Sequence, residues 1–306
     1  MKKDKFNFAV GGQALIEGVM MRSPHAISLA CRRPDGSVAT KLDHYQSWSE
    51  KIGVQRIPII RGMVSFIEMM VVGVRALNYS AAIAAEEENQ ENTSSWVDSF
   101  TTIVSIILSL AFLIVLFKWL PLELASQVSS VSPQVHDNWW LFNLVDGIIK
   151  LGVFLGYLIL VSLFPQMKRL FAYHGAEHKS VFTYEDDVSL TTKEAKLRSR
   201  FHPRCGTSFL FVVIIASILL YTVIPPVASF GGKLLIRIAL LPVIAGLSFE
   251  VLKLSGRFQS HWWVRVLSMP GLLLQRLTTK EPDESQLEIA LIALNNALAY
   301  EEKLRK

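Results

Sequence analysis

Cysteine is nearly absent: the 306 residues contain two, Cys31 and Cys205. Two thiols cannot build a disulfide framework, and so low a number suits a reducing compartment. A secretory leader is not expected either. After Met-Lys-Lys-Asp-Lys the apolar stretch Phe6 to Val10 is too short for a hydrophobic leader region and ends in Gly11 and Gly12. No internal repeat and no low-complexity tract is found. The run Gly11-Gly12-Gln13-Ala14-Leu15-Ile16-Glu17-Gly18-Val19-Met20-Met21-Arg22 carries glycines, but it lacks the Lys-Ser/Thr of a phosphate loop and the spacing of a dinucleotide fingerprint. This argues against nucleotide binding. The run reads instead as a tight backbone turn presenting Gln13, Glu17 and Arg22 to a neighbouring domain.

Apolar residues, by contrast, make up 51% of the chain, and the mean hydropathy is +0.35. They come in blocks, so a bilayer is the solvent they fit. Four stretches qualify as membrane spans: Ser99 to Leu120, Leu141 to Phe164, Thr207 to Ile224 and Leu234 to Leu252. The spans carry few charges: Lys118 in the first, Asp146 and Lys150 in the second, Arg237 and Glu250 in the fourth. Outside them, Lys plus Arg number 11 before the first span, none in 121–140, 8 in 165–206, 1 in 225–233 and 8 after the fourth. That alternation predicts a multi-pass protein of the cytoplasmic membrane with both termini in the cytoplasm. Trp119, Trp139 and Trp140 would then lie at the outer interface. The net charge of +5 is thereby explained by topology and anionic lipid, with no nucleic-acid partner.

The fold class expected is a mainly α membrane protein with four transmembrane helices, amphipathic interfacial helices and a small N-terminal β-hairpin. The expected regions are 1–98, cytoplasmic, with the hairpin and an amphipathic helix; 99–164, two spans; 165–206, a cytoplasmic loop; 207–252, two spans; and 253–306, cytoplasmic helices. Ala26 to Ala39 reads as the hairpin around Pro34-Asp35-Gly36. In Ile59 to Leu77, Arg61, Glu68 and Arg75 recur every seven residues opposite Met63, Ile67, Met70, Val74 and Leu77. This describes an amphipathic helix lying on the membrane or on a partner helix. Glu86 to Asn92 reads as an acidic linker, and 256–277 as an interfacial segment with Trp262 and Trp263 at headgroup level. A last helix runs from Asp283, its cap, to about Lys303 with Leu287, Leu291, Leu294 and Leu298 as its apolar stripe.

The chemistry concentrates in two motifs. His174-Gly-Ala-Glu177-His178 places two imidazoles and a carboxylate at i, i+3 and i+4 of a helix, so they share one face. In inverted zincins this order supplies two zinc ligands and a general base. The bland reading is a juxtamembrane helix with a solvated polar face. The second motif, His202-Pro203-Arg204-Cys205-Gly206, puts His and Cys three residues apart across a turn, a spacing that can chelate an ion. Its bland reading is a helix-entry turn with a buried cysteine. One motif follows the second span and the other precedes the third, so both fall at the same, cytoplasmic, membrane face, with His174 roughly 15 Å beyond Pro165 along a continuing helix. Glu250 lies at similar depth and is a possible additional ligand. Arg204 can orient a phosphate or carboxylate, or pair with acidic residues. Asp146 and Lys150, four apart inside the second span, read as a mutually neutralising pair.

GGQALIEGVMMRSP, YHGAEHK, FHPRCGTSF, LPVIAGLSFE and LTTKEPDESQLEIA together resemble the YqhQ-like family of bacterial membrane proteins of unknown function, over nearly the whole chain from Gly11 to about Leu298. Members have been labelled predicted metal-dependent enzymes. The resemblance therefore implies site roles for His174, Glu177, His178, His202 and Cys205, all present here, and names no substrate. The residues support two readings. One is a zinc-dependent hydrolase at the cytoplasmic face acting on a membrane-associated substrate, with Glu177 as base and His174, His178 and His202 or Cys205 as ligands. The alternative is a non-enzymatic factor that assembles, stabilises or regulates a membrane complex such as a protein translocon. A transporter is the weakest reading, because four spans without a repeat offer little pathway.

Overall fold

The computed structural model describes residues 8–85, 96–223, 229–257 and 261–305. The N-terminal part is a four-stranded antiparallel meander in the order β1 (Gly11–Leu15), β2 (Gly18–Arg22), β3 (Ala26–Arg32) and β4 (Val38–His44). The expected hairpin is there as β3–β4, with Arg32 opposite Val38 and the turn held by Ser37 N–H donating to Asp35 Oδ1 at 2.8 Å. The glycine-bearing run was read as a turn alone, and it is a second hairpin. Ile16 and Glu17 form its tip, Leu15 pairs with Gly18, and Glu17 takes a φ of +52°. Five-residue strands flanked by glycine carry too little alternation to declare themselves in the sequence.

Helices cover both faces of this sheet. After a short turn of helix, α1 (Trp48–Lys51), comes the long α2 (Pro58–Ala84). Its Ala76 and Ile83 pack with Leu15, Met20, Ile27, Leu29 and Cys31 on one face. The opposite face, through Val19, Met21 and Ala30, packs on α7 (Pro165–Glu185) and α13 (Glu284–Arg305). Successive strand residues thus point to different layers, as the pleat requires. α13 begins where expected. Gln286 N–H donates to Asp283 Oδ1 at 2.8 Å, and Asp283 N–H donates back to Gln286 Oε1 at 3.0 Å, a reciprocal cap. Leu287, Leu291, Leu294 and Leu298 are all buried.

Two charged residues of α2, Arg61 and Glu68, find partners inside the protein, whereas Arg75 is exposed and part of the helix's apolar surface faces out. Buried Glu68 accepts from Trp48 N–H at 2.9 Å and Ser47 Oγ–H at 3.2 Å, and Arg61 pairs with Glu250. Ile60, Ile67, Met70 and Val74 remain exposed. A helix with this division meets an apolar medium on its outer side.

The remaining helices are α3 (Trp96–Ile114), a π-helical turn (Val115–Trp119), α4 (Leu120–Val131), α5 (Pro133–Asp137), α6 (Trp139–Ser162), α8 (Thr192–Lys196), α9 (Gly206–Val223), α10 (Phe230–Ala239), α11 (Leu241–Arg257) and α12 (Trp262–Thr278). Among the described residues, two helices are long and apolar enough to cross a membrane, Ile107–Val131 and Trp139–Ser162. A third candidate is the pair Phe230–Ala239 and Leu241–Leu254, bent by 44°. These apolar helices mark the chain as membrane-associated. The count of four spans is not reproduced as such. Of the first, Ser99 to Leu120, the residues from 107 onward lie in the apolar helix Ile107–Val131. The third, Thr207 to Ile224, lies on α9, whose described apolar part is Phe209–Val223, and Ile224 is outside the described residues. The fourth is broken because Pro242 has no N–H to donate to the turn before it. The acidic linker Glu86 to Asn92 also lies outside the described residues. The segment 256–277 is helical from Trp262, which is exposed with Val266, Met269 and Leu273, while Leu274 and Gln275 are buried.

Candidate metal centre

α7 continues from α6 after Pro165, whose missing N–H is harmless at a helix start. The helix carries His174, Glu177 and His178 into the protein, between the sheet and the turn that precedes α9. Gly175 lets this happen. A Cβ there would stand 2.1 Å from the carbonyl oxygen of Lys280, so only glycine allows the segment after α12 to cross α7 this closely. Lys280 N–H donates to Phe171 O at 2.8 Å and fixes the crossing.

The two imidazoles are held in one tautomer each. His174 Nδ1 faces Thr278 O at 2.8 Å, and His178 Nδ1 faces Arg200 O at 2.5 Å. A ring nitrogen facing a carbonyl must carry the proton, so both Nε2 atoms are left with free lone pairs. His174 Nε2 lies 3.2 Å from Cys205 Sγ, and the two rings are 4.4 Å apart between centroids. His178 Nε2 is buried, with Cys205 and Glu177 among its polar neighbours. His174, His178 and Cys205 each bring one ligand atom to a point where the three lie within 4.8 Å of one another. Cys205 immediately precedes α9, where Thr207 N–H donates to Sγ at 3.4 Å and the Thr207 hydroxyl lies 3.2 Å away.

Glu177 sits beside this group, with Oε2 at 3.5 Å from His178 Nε2. Burial pushes its carboxyl up, while His174, His202 and the Gly12 N–H pull the other way. Burial likewise pushes the His178 imidazole down. Gly12 presses on Glu177: a Cβ on Gly12 would stand 2.8 Å from Glu177 Cγ and 2.4 Å from Met20 O. The glycine-bearing run therefore forms one wall of the site. The other residues of that run face different ways. Gln13 abuts Gly73 of α2, Arg22 stacks on Tyr45, and Glu17 pairs with Arg169 and accepts from Tyr173 Oη–H.

The other residues named from the sequence lie near the trio or away from it. His202 is buried but both its nitrogens are engaged: Nδ1 accepts from Arg204 N–H at 3.2 Å, and Nε2 faces Glu185 Oε2 at 3.3 Å. Arg204 pairs with that same Glu185. Glu250 is drawn away by Arg61 and does not approach the trio. Asp146 and Lys150 pair at 3.1 Å, but Arg237 takes the second carboxylate oxygen at 2.7 Å, so the pair does not close on itself.

No solved structure matches this chain. A model of the family described as "Protein of unknown function (DUF1385)" matches residues 57–300. The chain belongs to the DUF1385 family. It is also 34% identical over 314 residues to the "Uncharacterized protein YqhQ" of Bacillus subtilis (strain 168), an alignment covering 98% of this chain and 96% of the relative.

Four residues of this DUF1385 chain complete the surroundings without having been named from the sequence. Gln275 is fully buried and binds the His202 backbone twice, accepting from N–H at 2.7 Å and donating to O at 2.8 Å. Thr278 and Arg200 act through their carbonyls, which no side-chain pattern can reveal. Glu185 alone had a signal: it lies seven residues after His178, on the same side of α7.

Proposed function

We propose that this DUF1385 chain is a multi-pass membrane protein that holds a zinc ion with His174, His178 and Cys205 at the cytoplasmic face. Its activity would be hydrolysis of a membrane-associated substrate, with Glu177 as general base. The observation that carries this reading is the pair of carbonyl-locked imidazoles, whose ligand atoms gather with Cys205 Sγ within 4.8 Å of one another. Outer hydrogen bonds of this kind orient metal-ligating histidines, and a donor set of two imidazoles and one thiolate suits zinc. A bound zinc would supply Lewis acidity and an acidified water. The residues of the chain do the rest. Glu177 stands where it can take a proton beside the ligand atoms, and the Gly12 wall and α7 shut out bulk water, while Arg204 is held by Glu185. The proposed topology keeps four crossings, with α9 and the bent α10–α11 pair as the third and fourth, and both termini in the cytoplasm. It rests on the distribution of basic residues.

A second reading follows from the same 3.5 Å contact. Glu177 is close enough to become a fourth ligand, and a closed site is structural. The protein would then be an assembly or regulatory factor for a membrane complex, with the outward apolar stripe of α2 as its docking face. Metal analysis of the purified protein decides the first point: about one zinc per chain in the wild type, lost in His178→Ala. A wild type without bound metal ends both readings of the site. Glu177→Gln then separates them. Retained zinc with lost biological activity supports the hydrolase, and lost zinc supports the closed site.

A further inference from the structure

A second polar cluster lies inside the apolar helices, far along α6 from the His/Cys trio. Asp146 and Ser162 are separated by about 24 Å of helix at 1.5 Å per residue. Lys118, Lys150 and Arg237 surround the ring of Tyr221, at 5.8, 5.2 and 4.9 Å from its centroid. All three cations are buried, Lys118 to 8% exposure. Asp146 is the carboxylate they meet, and its two oxygens are spent on Lys150 and Arg237. Arg237 also donates to Asn143 Oδ1 at 2.9 Å. Lys118 has the Tyr221 hydroxyl at 3.4 Å, and that hydroxyl itself donates to Arg237 O.

With both lysines protonated, three cations face one carboxylate, an excess of two charges, and the hydrogen bonds are unbalanced as well. An ammonium has three N–H donors. Lys118 uses one on Tyr221 and Lys150 uses one on Asp146, which leaves four donors in an interior that has little water to serve them. An unmatched charge in such a place is strongly unfavourable. The backbone is also adapted here. Lys118 lies in the π-helical turn Val115–Trp119, and inserted turns of this kind cluster at functional sites. Towards the helix ends, Lys233 stacks at 4.5 Å on Phe142, the ring that Arg237 meets from 5.9 Å, so cationic groups continue outward from the cluster.

We infer that the Tyr221 cluster binds an oxyanion of the phosphate class, with Lys118 and Lys150 supplying the free N–H donors. A phosphate monoester carries nearly the two negative charges that the cluster lacks. The group could reach the cluster as the head of a lipid or as free phosphate, and the two sources are separable. The full chain in detergent is titrated with inorganic phosphate, and separately with mixed micelles containing phosphatidic acid, while thermal unfolding is followed. Stabilisation by phosphatidic acid alone identifies a lipid head, and stabilisation by inorganic phosphate identifies the free ion. Lys118→Met is expected to weaken the effective anion at least tenfold, and Lys118→Arg to keep it, with zinc content unchanged in both. If the methionine variant does not fold, competition on the wild type replaces it: sulfate should displace the anion where chloride at equal ionic strength does not. No stabilisation of the wild type by either phosphate, an unchanged affinity in Lys118→Met, or displacement that follows ionic strength alone overturns the assignment.

Discussion

The two polar clusters of this chain are built on opposite plans. Around His174, His178 and Cys205 the surplus is of lone pairs: each Nδ1–H is committed to a carbonyl, and the free Nε2 atoms face a sulfur. Around Tyr221 the surplus is of protons: two lysines and an arginine share one carboxylate. A gathering of acceptors invites a cation and a gathering of donors invites an anion. The difference also lies in sequence distance. The first cluster comes from two short motifs, and the second from residues spread over four separate helical segments, with three of the residues on α6.

The strongest way to break this contrast is at Asp146. Asp146→Asn leaves Lys150 and Arg237 buried without their carboxylate, and should destabilise the protein by about 3–5 kcal/mol. Thermal unfolding in detergent measures it. Zinc per folded chain should stay at the wild-type level, and a parallel fall would show that the clusters are coupled. Gly175→Ala reverses the pattern. A methyl group 2.1 Å from Lys280 O must push the segment after α12 away, at a cost of about 1–3 kcal/mol. Because Thr278 moves with that segment, zinc should be held more weakly while phosphate stabilisation is unaffected. The smallest effect lies outside both clusters. Burial opposes ionisation of Glu301, yet Ser23 and the His25 backbone and ring hold its carboxyl below the ordinary 4.5. This contribution is complete above pH 4.5 and is lost as the pH falls through the folded-state value. Glu301→Gln should flatten the acid side of a stability-against-pH profile and leave both clusters' ligands in place.

Much of this was legible where local periodicity settles the geometry. The i, i+4 spacing puts His174 and His178 on one face whatever surrounds them, and the Pro282-Asp283 start with its leucine stripe fixes α13. The apolar blocks marked the helices that can enter a membrane. The rest depends on contacts between distant segments. Arg61 and Glu68 look like a solvated face until Glu250 and the Trp48 backbone are placed against them. Lys118 and Arg237 read as isolated blemishes in apolar runs, because nothing local shows that they converge on Tyr221. His202 has a ligand's spacing, but the turn folds its Nδ1 onto the Arg204 amide and turns its Nε2 to Glu185.

The hydrogen bond from His174 to Thr278 has a mechanical meaning. Thr278 closes α12, a helix whose other side displays Trp262, Val266, Met269 and Leu273. The imidazole is thus geared to that helix, and any sliding or rolling of α12 in its apolar surroundings must rotate the ring, or snap the link that steers its lone pair.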